Sequence, residues 1–141
     1  MLNKVMGIDY GKARIGIAIS DAQGMVANPV GTISEKFFPA QVKQVALQVQ
    51  KLSPSKIVLG LPKNMDGSEG ESAALVREFA QKLFEETNVP FEYLDERLST
   101  VSAHKLLNEK NVNGSKKRKG VVDTLSAVII LQNYLDKKEV L

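Results

Sequence analysis

The sequence predicts an α/β protein in which a mixed five-stranded sheet carries helices on both faces. Three strand-like segments open the chain, and strand-like and helix-like segments alternate after them. Early hairpins followed by such alternation are typical of a sheet that combines antiparallel and parallel strands. The chain has 141 residues, of which 43% are hydrophobic. We therefore expect one domain over residues 1–141 with a substantial core.

The first two strands are predicted to form a hairpin with an acid near its tip. Apolar residues favour strands over residues 5–8 and 15–19. Gly11 and Gly16 allow backbone conformations or close approaches that a side chain would obstruct. Asp9 lies at the carboxyl end of the first strand, where it could hold a cation or simply shape the turn.

The next segments begin the alternation. Residues 25–33 favour a third strand, in which Pro29 implies an edge position or an irregularity. Helical spacing of apolar residues predicts a helix over residues 39–52. The wholly apolar run 57–60 predicts a strand that is covered on both faces.

The second half of the chain is predicted to be mostly helical. Ser68 and Glu71 have the spacing of a capping box, which marks the start of a helix. The remaining predicted segments are a strand over residues 91–94, a helix over about 99–110, a loop over about 111–120 and a final helix from residue 121.

Acidic residues follow the strands in a pattern that favours a shared site. If the first and fifth strands run parallel, Asp9 lies at the same sheet edge as Asp95 and Glu96, where ligand sites of open α/β sheets form. Arg97 is either the partner of one acid or a phosphate contact. Asp123 is a third candidate in the first turn of the final helix, although the helix dipole favours an acid there whatever its role.

Converging carboxylates favour hard cations such as Mg²⁺ or Mn²⁺. Two such ions can stabilise the attacking and leaving oxygens in phosphodiester hydrolysis. The chain has no cysteine and a single histidine. Zinc–thiolate centres and sites with several histidines are therefore excluded.

Basic residues cluster before the last acid. The net charge of +3 is weak evidence for a nucleic-acid partner by itself. Four consecutive cations are Lys116, Lys117, Arg118 and Lys119. These residues either form a solvated loop or bind phosphates of a nucleic acid. Lys12 and Arg14 could extend the same positively charged surface, a positive rim around the acids. No apolar run approaches the roughly 20 residues that span a bilayer, so we expect a cytoplasmic protein without a membrane partner.

These motifs together resemble the YqgF family of RNase H-like proteins, described as Holliday junction resolvases and as pre-16S rRNA nucleases. The matching blocks are residues 7–11, 14–21, 60–62, 64–68, 95–100, 122–123 and 130–132. They occur in the family's order and cover nearly the whole chain.

The resemblance implies an RNase H-like fold and a metal-dependent endonuclease. Asp9, Glu96 and Asp123 match the family's proposed catalytic acids, and Asp95 could share or replace the role of Glu96. Processing of the pre-16S rRNA 5′ end is favoured over Holliday junction resolution, because resolution usually needs a twofold dimer. We expect a monomer or weak homodimer that acts on structured RNA or branched DNA, with possible ribosome-assembly partners.

Two functions from other classes stay open at this point. A non-catalytic RNA-binding factor could retain the same fold, since fold alone does not fix function. An actin-like or sugar-kinase-like nucleotide-binding domain also places an acid in a glycine-containing hairpin, but such proteins normally close two related domains over the nucleotide.

Overall fold

A computed structural model of the chain describes residues 3–95 and 115–139, with side chains over 3–95 and 121–137. The helix predicted over about 99–110 lies outside the described residues, as do Glu96 and Arg97. The described elements are β1 (Val5–Tyr10), β2 (Arg14–Ser20), β3 (Ala27–Ser34), α1 (Phe38–Leu52), β4 (Lys56–Leu61), α2 (Glu71–Thr87), β5 (Phe91–Asp95) and α3 (Ser115–Glu139). No helix in this part of the chain has the length and apolar character needed to cross a membrane.

The five strands form one mixed sheet in the order β3-β2-β1-β4-β5. β2 is antiparallel to both β1 and β3, whereas β4 is parallel to both β1 and β5. The predicted mixed five-stranded sheet is therefore confirmed. Because β1, β4 and β5 run in one direction, they all end at one edge of the sheet, which we call the carboxyl edge. The hairpin between β1 and β2 turns at this edge.

Each face of the sheet has its own core. Successive side chains of a strand point to opposite faces, and Met6 and Ile8 of β1 pack against α1 and α2. Val5 of β1 and Ala18 of β2 pack on the opposite face against α3. We call these the α1/α2 face and the α3 face. The predicted helices on both faces are confirmed, and β4 is buried over residues 57–61, as its wholly apolar sequence predicts.

The start of the last helix was predicted wrongly. α3 begins at Ser115, so residues 116–119 lie in its first turns and not in a loop, and Asp123 lies in the third turn. Lysine and arginine are good helix formers, and a single glycine inside a helix costs only about 1 kcal/mol. Gly120 therefore does not interrupt α3, which runs through it. The dipole explanation for Asp123 no longer applies, because that effect falls off within the first turn.

The predicted capping box at the start of α2 is also wrong. α2 begins at Glu71, and its N-cap Gly70 makes no side-chain capping hydrogen bond. The amide and hydroxyl of Ser68 instead donate to Asp66 Oδ1, at 2.9 and 2.6 Å. A local side-chain turn of this kind competes with helix capping for the same serine.

Asp21 should stabilise the protein at neutral pH, and acid should remove this stabilisation. Its Oδ1 accepts hydrogen bonds from the amides of Met25 and Val26, at 2.7 and 3.1 Å, and these bonds lower the pKa of Asp21 below its usual 3.8. The lowered pKa stabilises the fold above about pH 3.8, and this stabilisation is lost as the pH falls through the folded-state pKa.

The prediction can be checked by urea denaturation of the wild type and Asp21→Asn between pH 7 and pH 3. We expect the wild type to have the higher free energy of unfolding at pH 7 and the difference to shrink below pH 4, because the variant has no carboxyl group to protonate there. A difference that is equally large at pH 3 and pH 7 would contradict this assignment.

Candidate active site at the carboxyl edge

Asp9 lies near the end of β1, directly opposite Gly16 of β2 in the antiparallel register. Its neighbour Ile8 belongs to the core between the sheet and α1 and α2. Because side chains alternate along a strand, Asp9 and Gly16 both belong to the α3 face. The hairpin therefore presents an acid beside a residue that has no side chain.

The glycines of β1 and β2 let α3 approach the sheet closely. A Cβ atom built on Gly16 would lie 1.9 Å from the carbonyl oxygen of Asp123. A Cβ atom on Gly7 would lie 2.7 Å from Leu131 Cβ and 2.9 Å from the carbonyl oxygen of Ala127. The backbone of Asp123 thus rests on the strand partner of Asp9, so these two predicted acids belong to the same face of the sheet. Gly7 was missed in the sequence, although a glycine within an apolar strand can signal such an approach.

Arg14 forms an ion pair with Asp123. Arg14 Nε donates to Asp123 Oδ2 at 2.7 Å, and the two side chains are 40% and 18% exposed. The next residue of α3, Thr124, forms a hydrogen bond of 2.7 Å between its hydroxyl and that of Thr32 in β3, which further fixes this turn of the helix. Arg14, which the sequence suggested for a positive rim, is therefore held against an acid of the candidate site.

Asp95 lies on the other face of the sheet. It is the last residue of β5 and pairs with Leu61 of β4, and Leu61 belongs to the α1/α2 core. Tyr93, two residues earlier, packs against the same core. The structure therefore places Asp95 at the predicted edge but on the face opposite Asp9 and Asp123. Among residues 3–95 and 115–139, no three acids or histidines are grouped closely enough to hold a metal ion.

The predicted basic residues approach the edge from two sides. Lys12 lies in the β1–β2 connection, is 73% exposed and contacts Glu71 Oε1 at 3.7 Å. Residues 116–119 occupy the first turns of α3, and at a rise of 1.5 Å per residue they lie roughly 6–11 Å from Asp123 along the helix axis. Their side chains lie outside the described part of the chain.

Gln41 of α1 contacts the hairpin and was missed in the sequence. It is 1% exposed. Its Nε2 donates to the carbonyl oxygens of Lys12 at 2.9 Å, Glu35 at 2.7 Å and Gly11 at 3.3 Å. Its Oε1 accepts from the hydroxyl of Tyr10 at 2.7 Å. The available signal was its position four residues before the buried Val45, which places a polar side chain on the buried face of α1.

Burial raises the pKa of the Tyr10 hydroxyl, and the negative charge of Glu78 raises it further. The hydroxyl therefore stays protonated at neutral pH and can donate to Gln41. The ring of Tyr10 stacks on Phe79 with 4.5 Å between the ring centroids. The residue next to Asp9 is thus fixed at both its ring and its hydroxyl.

The sheet order, the helices on its two faces and the acids at the carboxyl edge define an RNase H-like protein. The sequence matches the family described as "RuvX: Holliday junction resolvase" over residues 3–137. The chain belongs to this RuvX (YqgF) family, as its sequence motifs suggested.

The sequence relatives of the chain are named as nucleases, and its structural neighbours share its fold. Two relatives are named "Putative pre-16S rRNA nuclease". The protein of Caldanaerobacter subterraneus is 43% identical to this chain, and the match covers 96% of this chain and 98% of the relative. The protein of Halothermothrix orenii is 44% identical, and the match covers 94% of each chain. RuvC of Thermus thermophilus in complex with a Holliday junction superposes with a TM-score of 0.59 at 13% identity, over 97% of this chain and 96% of RuvC. The Fowlpox virus resolvase, in complex with junction DNA, gives 0.57 at 10% identity, over 96% and 98%. These two structures support the fold.

Proposed function

We propose that this nuclease is a metal-dependent endonuclease that processes the 5′ end of pre-16S rRNA, with Asp9, Glu96 and Asp123 as its metal-binding acids. The observation that carries the proposal is the contact between the Asp123 backbone and Gly16, the strand partner of Asp9. This contact supports a site shared by two acids that are far apart in sequence.

The donor set suits Mg²⁺ or Mn²⁺. Both ions prefer carboxylate oxygens, and Asp9 and Asp123 supply them from β1 and α3. Glu96 directly follows β5, which ends at the same edge. Asp95 belongs to the opposite face, so of the two neighbouring acids we propose Glu96 as the third ligand.

The chain's own residues would orient the reaction. Asp9, Glu96 and Asp123 would hold metal ions, which would supply positive charge to stabilise the attacking and leaving oxygens of phosphodiester hydrolysis. Arg14 holds one carboxylate oxygen of Asp123 and so limits the rotation of that side chain. Two acids held by a strand and a packed helix require little reorganisation before the reaction.

Ribosomal RNA is the substrate that the sequence relatives favour. The relatives named for pre-16S rRNA share more than 40% identity with the chain over nearly its whole length, whereas the neighbours bound to junction DNA share only the fold. Junction resolution remains the second candidate, because the family is described by that activity. We further propose that the protein acts in the cytoplasm, as a monomer or weak homodimer, alongside ribosome-assembly factors.

Side-by-side cleavage assays would test the substrate. Ribosomal precursor RNA and a four-way DNA junction are incubated with the protein and Mg²⁺ or Mn²⁺, and Asp9→Asn controls for a contaminating nuclease. RNA cleavage that the variant lacks supports the proposal, whereas paired symmetric cuts in the junction support the resolvase. RNA binding without cleavage of either substrate under both metals would favour the non-catalytic factor.

The basic turns of α3 should bind phosphates. We expect a variant with all four cations of residues 116–119 replaced by glutamine to bind single-stranded RNA more weakly. The plot of log affinity against log salt concentration should become less steep by about 0.7 for each phosphate contact that is lost.

Fluorescence anisotropy titrations at several salt concentrations would measure this effect. The matched control replaces four exposed lysines elsewhere on the helices, namely Lys43, Lys51, Lys82 and Lys137. A salt slope that is unchanged in the 116–119 variant, or reduced equally in the control, would exclude direct phosphate contacts by these residues.

A further inference from the structure

Gln41 joins three segments that meet at the carboxyl edge. Its amide oxygen is bonded to the end of β1 through Tyr10, and its amide nitrogen is bonded to the β1–β2 connection through Lys12. The same nitrogen is bonded to the β3–α1 connection through Glu35. Both polar atoms of a nearly fully buried side chain are thus satisfied by the hairpin and its neighbour.

Such a buried amide restricts the hairpin to one conformation. Burying a polar group without its partner is unfavourable, so any movement of the connection that breaks these bonds is disfavoured. The connection spans residues 11–13, with Asp9 and Arg14 just outside it on the two strands. Fixing its carbonyl groups therefore restricts the positions of both residues beneath α3.

We propose that Gln41 is a positioning residue of the nuclease site, whose amide holds the β1–β2 connection against the β3–α1 connection and so places Asp9 and Arg14 opposite Asp123. The proposal rests on the proposed function, because Asp9 is the acid that is positioned. A residue that only fills the core would contribute to stability alone.

Gln41→Met tests this directly, since methionine has a similar length but cannot donate or accept these hydrogen bonds. We expect kcat for RNA cleavage to fall about 10–100-fold with KM within about twofold, because small displacements of reacting groups can cost about 100-fold in rate. The Mn²⁺ affinity measured by calorimetry should fall about tenfold, because groups that orient metal ligands typically contribute about 10–100-fold to metal affinity. Tyr10→Phe removes one of the bonds and should shift kcat and Mn²⁺ affinity in the same direction by less.

Two control variants separate positioning from stability. Gln44 lies almost one turn further along α1 and donates to Glu35 Oε1 at 3.1 Å, so Gln44→Met should keep wild-type kcat and Mn²⁺ affinity. Val49 is buried at the far end of α1, and Val49→Ala should lower the unfolding temperature without changing kcat in the folded protein. Assays are run well below every variant's unfolding temperature.

The outcomes distinguish this inference from the proposed function. Wild-type kcat and Mn²⁺ affinity in Gln41→Met would overturn the positioning role. If the wild type itself neither cleaves RNA nor binds Mn²⁺, the proposed function fails, and hydrogen exchange of the amides of residues 9–14 decides the inference. Faster exchange in Gln41→Met than in Val49→Ala would then support a hairpin held by Gln41, whereas equal protection would overturn it.

Discussion

Gly16→Ala should lower the free energy of unfolding by about 3 kcal/mol or more, the upper part of the range for overpacked cores. The new methyl carbon would lie 1.9 Å from the carbonyl oxygen of Asp123. Backbone of a packed helix cannot rotate away as a side chain can, so α3 must shift or the strand must bend. Either movement separates Asp123 from Asp9, and we therefore expect cleavage to fall together with stability.

Denaturant unfolding and RNA cleavage would be measured on the same preparations. Gly70→Ala is the matched control, because a Cβ atom there meets nothing closer than the Asn64 side chain at 3.8 Å. Gly70 is the N-cap of α2, where glycine is preferred over alanine, and we expect this control to lower the unfolding free energy by no more than about 1 kcal/mol. A Gly16→Ala protein as stable as this control would show that α3 does not rest on β2 as described.

The sheet could be predicted because its strands carry strong local signals. Isoleucines alternate with small residues in β2, and residues 57–61 of β4 are all apolar, so the pattern of apolar residues marks both strands. The start of α3 lacks such a signal. The run of lysines and Gly120 suggested a loop, yet helix propensity and the packing of the helix downstream extend α3 back to Ser115.

The candidate acids could be nominated from the sequence, but the contacts that place Asp9 and Asp123 on one face of the sheet could not. Arg14 and Asp123 are 109 positions apart. Gly16 contacts the backbone of Asp123 and pairs with Asp9 only because α3 crosses β2 at that glycine. The face on which Asp95 lies depends on the register between β4 and β5, which the sequence left open. Gln41 had even less signal, because a single glutamine in an amphipathic helix usually lies on the solvated side.

Asp9→Asn should reduce RNA cleavage at least about 1,000-fold, equivalent to about 4 kcal/mol of transition-state stabilisation. The neutral amide has nearly the shape of the carboxylate but lacks the charge that binds divalent cations, whose contribution to such reactions is several kcal/mol. Mn²⁺ affinity should fall in parallel, while the unfolding temperature should change little.

Asp95→Asn is the control with identical chemistry at the same edge of the sheet. The side chain of Asp95 belongs to the α1/α2 face, since Asp95 pairs with the core residue Leu61. We expect the cleavage rate of Asp95→Asn to stay within about threefold of the wild type, because a group outside the site contributes little to transition-state binding. Parallel measurements of cleavage rate and Mn²⁺ affinity on both variants compare the two faces directly. Equal losses would place Asp95 among the metal ligands, and full activity in Asp9→Asn would remove the hairpin acid from the mechanism. A loss confined to Asp9→Asn would locate the chemistry on the α3 face, where Asp123 and the glycine contact already lie.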